Sequence, residues 1–155
     1  MKNKEILIKL AKRTQSYFNE ELGLKVDDSF TIINVDKISY FEITTLISLS
    51  NNMSGTVGMS VSSTIAKKMV RNFIYGNISE EDILELASEN IAETLNITLG
   101  NILKELDVFK KGGSIDISTP YTIRNAGNIM KKKSEIMYLC TLYLDREPIY
   151  LSYFV

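Results

Sequence analysis

Residues 79–107 read SEEDILELASENIAETLNITLGNILKELD, and the spacing of their apolar members decides the fold. Leu84, Ala87, Ile91, Leu95, Leu99, Ile102 and Leu106 advance by three or four residues, which is the stripe of a helix with one face in a core. Ser79 followed by Glu80, Glu81 and Asp82 is a helix start: a hydroxyl to cap the first amides, then acids where the helix dipole favours them. A long helix is therefore expected over about 79–107, closed by Lys110-Lys-Gly-Gly113. On both sides of it the texture changes to strands.

Upstream, Leu7, Leu10, Ala11, Thr14 and Phe18 predict a first helix over about 3–22, with Gly23 as its stop. Residues 30–35, 40–50 and 56–61 are β-branched or alternating, and the turn-forming cluster 50–55 joins the last two as a hairpin. Ala66, Met69, Val70, Phe73 and Ile74 give a short helix between Ser62 or Ser63 and Gly76-Asn77. Downstream, residues 114–120 read as a short strand, and two alternating segments, about 134–144 and 149–155, flank the turn Asp145-Arg-Glu-Pro148. The order is helix, three strands, two helices, then about three strands. It predicts one α+β domain over residues 1–155, long helices packed on a largely antiparallel sheet.

Composition narrows the chemistry. The chain has 155 residues, 18 Lys plus Arg against 19 Asp plus Glu, no His and one cysteine, Cys140. That rules out a His/Cys zinc site and any Ser-His or Cys-His nucleophilic pair within the chain. A net charge of -1 argues against nucleic-acid binding through a general basic surface. The N-terminal stretch is broken by charges every few residues, so neither a signal peptide nor a membrane span is expected. A lone cysteine fits a reducing compartment, and the expected location is cytoplasmic. Cys140 itself alternates with apolar neighbours and reads as a buried small hydrophobe.

The long helix has a second line of residues. At 100° per residue, Glu89, Glu93, Asn96 and Gly100 fall together, opposite the core stripe. A solvated face would account for the glutamates. It does not account for Asn96, Thr98, Gly100 and Asn101 at mid-helix, which together forgo about 2 kcal/mol of helix propensity. Gly100 would let a foreign backbone approach, or else a neighbouring helix of the same core; Asn96 offers a donor and an acceptor at once.

Glu93-Thr-Leu-Asn96-Ile-Thr-Leu-Gly100-Asn101, preceded by the strand and helix of 55–66 and followed by Pro120, resembles the CheX branch of the CheC/CheX/FliY chemotaxis phosphatases. The resemblance runs over almost the whole chain. Where the family pattern has Asp or Ser four residues before the glutamate, this chain has Glu89. A single Glu-x-x-Asn helix points to the one-site CheX type. The resemblance implies a protein phosphatase whose substrate is the phospho-aspartate of a CheY-like receiver, with Glu93 and Asn96 catalytic. Asn96 would orient the attacking water, and Glu93 would engage the receiver's active-site lysine. Glu89, Gly100 and Asn101 would contact the partner. It also implies no cofactor of its own, Mg2+ on the receiver, no membrane insertion, and a homodimer; the tyrosines of the C-terminal hairpin could cover a sheet edge or extend the sheet across that dimer, and the homodimer favours the second. The alternative is a non-catalytic receiver-binding or flagellar-switch-type module.

Overall fold

The computed structural model describes residues 2–155, with side chains from Lys4 onward. Its elements are α1 (Lys2–Glu20), β1 (Thr31–Val35), β2 (Lys37–Ser39), β3 (Ile43–Asn51), β4 (Gly55–Val61), α2 (Ser63–Val70), α3 (Glu80–Ile102), α4 (Asp107–Lys110), β5 (Ile115–Ile117), β6 (Tyr121–Arg124), β7 (Asn128–Met130), β8 (Met137–Leu144) and β9 (Glu147–Phe154). The main sheet runs β1-β8-β9-β4-β3, and the outer edge of β3 is shared by β5 at one end and β6 at the other. All of these pairings are antiparallel. The α+β expectation holds.

The apolar side chains explain the layering. Alternate residues of the central strands, among them Val57, Met59, Cys140, Leu142, Leu151 and Tyr153, join one cluster with the buried stripes of α1, α2 and α3. The intervening residues point to the opposite face. There the ribbon β2–β7 covers a smaller cluster built on Ile38, Tyr40 and Met137. Burial pushes the Cys140 thiol up to about 12, which suppresses its thiolate and makes it a packing residue.

The helix ends follow their sequence signals. The Ser79 hydroxyl accepts from the Asp82 amide at 3.1 Å, and Ser62 accepts from Ile65 at 3.2 Å. Gly23, at φ +65°, lets Leu24 donate back to the Phe18 carbonyl at 2.8 Å after α1 has ended. Ion pairs Lys67–Glu80 and Arg124–Glu81 tie the first turn of α3 to α2 and β6.

Five expectations need correction. The long helix stops at Ile102, five residues early, in a 3-10 turn that brings Leu106 into the core. The second helix stops at Val70, and Phe73, expected on its apolar face, is 54% exposed on the following 3-10 turn. The C-terminal turn contains only Asp145 and Arg146, both at positive φ, so Pro148 lies within β9 opposite Tyr143. Strands β2, β6 and β7, three or four residues each, were not anticipated. Finally, the C-terminal hairpin cannot extend the sheet into a second copy, because β1 takes the free edge of β8 and β4 that of β9. Among the described residues, the unpaired edges of the main sheet belong to β1 and to β5 and β6.

One close approach on the ribbon side is tested readily. Gly58 of β4 sits where a Cβ would lie 2.6 Å from Ser152 Oγ and 2.9 Å from Leu46 Cδ2. Ser152 is hydrogen-bonded to the Tyr40 hydroxyl at 2.8 Å in a buried site, so it has little room to give way. Gly58→Ala is expected to destabilise the chain by roughly 1–3 kcal/mol through overpacking. Thermal unfolding checks this: a midpoint equal to that of the parent chain would contradict the packing described.

Candidate functional site

Packing fixes the rotation of α3. Ala87, Ile91, Thr94, Leu95, Thr98, Leu99 and Ile102 are buried against the sheet and the other helices. Glu89, Glu93, Asn96 and Gly100 are all exposed on the opposite side, within an arc of about 60°. Asn101 is exposed too, about 80° beyond the edge of this arc on the side of α1.

The four residues that weaken the helix separate into two kinds. Thr98 is buried, and its hydroxyl donates to the Thr94 carbonyl at 2.8 Å, so it is used inside the helix. Asn101 Oδ1 accepts from Arg13 Nε at 2.9 Å, so its oxygen is engaged by α1. Asn96 has no side-chain hydrogen bond among the described residues. Beyond its chain neighbours and the backbone of its own helix, Gly100 has no atom of the described residues within 4 Å of where a Cβ would be. The reading of Gly100 as room for a neighbouring helix of the same core is thereby excluded. Asn96 and Gly100 do nothing for this chain's own packing.

The arc is bordered on both sides. Toward β6, Glu85, Ser88, Glu89 and Ala92 form a shallow depression of about 340 Å³ with Thr122 and Arg124. On the other side lies α1, antiparallel to α3. Tyr17 stands beside Glu93 and Thr94: partial burial raises its phenol above the ordinary value, the Thr94 hydroxyl offsets part of this, and the Glu93 charge adds to the rise. Arg13 and Tyr17 drew no attention in the sequence. Arg13 lies off the α1 core stripe and Tyr17 at its edge, packed against the core, and only the pairing of α1 with α3 brings them to the site. Among the described residues no group of three or more His, Cys, Asp or Glu could hold a metal ion, and no helix is long and apolar enough to cross a membrane.

This geometry can be compared with known proteins. A family model described as "Chemotaxis phosphatase CheX" matches residues 43–142, from β3 into β8 and including all of α3. The chain belongs to the CheX family. No curated protein matches it in sequence. In structure, it is similar to the chemotaxis protein CheX of Desulfovibrio desulfuricans, with a TM-score of 0.73 and 13% identity over 97% of this chain and 98% of the other. A chain of the CheX–CheY–BeF3–Mg2+ complex of Borrelia burgdorferi gives a TM-score of 0.70 at 15% identity, covering 97% of each chain. The middle domain of FliM from H. pylori is more distant, with a TM-score of 0.52 at 15% identity over 97% and 87%. At such identities the structural likeness speaks for the fold, and the family assignment rests on the sequence model.

Gly100 provides a test within this CheX-family chain. Because nothing borders it, Gly100→Ala should raise the stability of the free protein by about 0.5–1 kcal/mol. The same methyl group should weaken binding to a partner whose backbone packs there. Increased thermal stability with unchanged binding to a receiver would show that this turn of α3 lies outside the interface.

Proposed function

We propose that the protein is an aspartyl-phosphate phosphatase acting on a phosphorylated CheY-like receiver domain, with Asn96 and Glu93 as its catalytic residues. The observation that carries this reading is Asn96: an exposed carboxamide without a hydrogen-bond partner among the described residues, on a rigid helix, one turn from Glu93. Membership in a family of chemotaxis phosphatases supports the activity.

The chemistry asks little of the chain beyond geometry. An acyl phosphate is already activated, so hydrolysis needs a water held in line with the scissile bond and stabilisation of charge on the transferred group. The Asn96 amide can accept from that water through its oxygen while its NH2 group bonds to the phosphoryl group or a backbone oxygen. Glu93 would accept a charge-assisted bond from the receiver's lysine and so set the angle at which α3 enters. Glu89 and Gly100 would line the contact, with the amide group of Asn101 at its edge. Mg2+ would belong to the receiver, where oxygen ligands suit it. Receiver domains are open α/β sheets with their site in a crevice at the carboxyl ends of the strands, a shape that accepts a helix.

We further assign the whole of residues 1–155 to one CheX-like unit working in the cytoplasm. A homodimer formed by sheet extension would use the outer edge of β1, where Ile33 is 53% exposed. The rival reading is a receiver-binding or flagellar-switch-type module without catalysis; the FliM middle domain shares the fold, at a lower TM-score than the CheX structures.

Decay of a radiolabelled, phosphorylated receiver separates the two. Asn96→Ala is expected to lower turnover by at least about 10²-fold, with circular dichroism and thermal unfolding nearly unchanged. Normal turnover would remove Asn96 from the mechanism. Glu93→Ala should lower kcat/KM by roughly 10- to 100-fold, the loss of one charge-assisted bond, and should also weaken complex formation. A Glu93→Ala chain that binds and turns over like the parent would exclude the lysine contact.

A further inference from the structure

The outer face of α1 carries a cluster of cations beside the site. Arg13 uses Nε to bond Asn101, the residue that follows the bare Gly100. The two terminal NH2 groups of its fork have no hydrogen-bond partner among the described residues. Lys9 and Lys12 continue the same face, and with Arg13 they line an open groove of about 560 Å³. The ion pairs of the described residues involve Lys67, Lys68 and Arg124, and none of these α1 cations. Of the carboxylates that share the groove, Glu5 is eight residues from Arg13, about 12 Å along the helix, and one turn from Lys9, and Glu105 follows the end of α3.

We propose that Lys9, Lys12 and Arg13 form a docking surface for the acidic rim of the receiver's phosphoryl site, with Arg13 as the anchor. The inference rests on the partner assigned above and deepens it. A site that holds both Mg2+ and a phosphorylated aspartate must gather carboxylates, so its surroundings are negative. Glu93 has the receiver's lysine to face, but Glu85 and Glu89 on the same exposed side of α3 are acids that this field repels. Cations on the neighbouring helix offset this repulsion and steer encounter. Arg13 suits the anchor role because Asn101 already fixes its planar fork, which leaves two parallel donors for a carboxylate and less side-chain freedom to lose.

The test is calorimetric titration of the full chain with a CheY-type receiver carrying beryllofluoride and Mg2+, between roughly 50 and 200 mM salt, with turnover followed in parallel. Arg13→Gln should weaken binding about tenfold at low salt and flatten the salt dependence, with the kinetic loss falling on KM. The double variant Lys9→Gln, Lys12→Gln leaves the α1–α3 contact intact and should flatten the salt dependence as well. A Kd and salt slope equal to the parent's in both variants would overturn the proposal, as would an Arg13→Gln loss confined to kcat. A parent chain that binds without hydrolysing removes the phosphatase reading alone, and docking is then judged on Kd. A parent chain that binds no receiver overturns docking together with the partner assignment.

Discussion

The rotation of α3 about its own axis governs everything this protein could do to a partner. Ala87, Ile91, Leu95, Leu99 and Ile102 must be covered by the sheet and by α1 and α2, and no other rotation of the helix covers all five. A slip of one residue would turn the outer arc by 100° and carry Glu93 and Asn96 toward the seam with β6 or with α1. The same burial that stabilises the domain therefore aims a carboxylate and a carboxamide outward, and it does so from a helix, where their separation is set by backbone geometry.

Much of this was legible in residues 79–107 because helical period, cap and stripe agree there. Ser79 is the cap it was read to be, and Glu89, Glu93, Asn96 and Gly100 share the solvent face. What the sequence left obscure depends on contacts between distant segments. Strands as short as Lys37–Ser39 and Asn128–Met130 carry too few alternations to be distinguished from loop, and they are strands because they pair with each other across 89 positions. The alternation in 137–144 and 149–154 identifies a hairpin and says nothing of its neighbours, so its central place in the sheet came only from β1 and β4 closing on it. Phe73 matched a helical spacing that the 3-10 turn at Arg71 cuts short.

The candidate site divides in the same way. The weakness of the helix around Asn96–Asn101 was visible in the sequence, but its causes were not. Thr98 is spent on a bond to its own helix and Asn101 on Arg13, which leaves Asn96 and Gly100 as the pair without an internal use. Arg13 could not be singled out beforehand, since three cations on one helix face read as a solvated surface until α3 is laid beside it. The local propensity forgone at Asn96 and Gly100 is the kind of conflict expected where sequence is shaped by a partner.

Amide NMR of the labelled chain, titrated with a beryllofluoride- and Mg2+-bound receiver, tests most directly whether the arc of α3 is what enters the partner. The account predicts that the Asn96 side-chain NH2 and the Gly100 backbone amide shift or broaden together, with smaller changes along the Arg13 face of α1. Changes confined to β1 or to the loop at Lys131–Lys133, with the Asn96 and Gly100 signals unmoved, would contradict it.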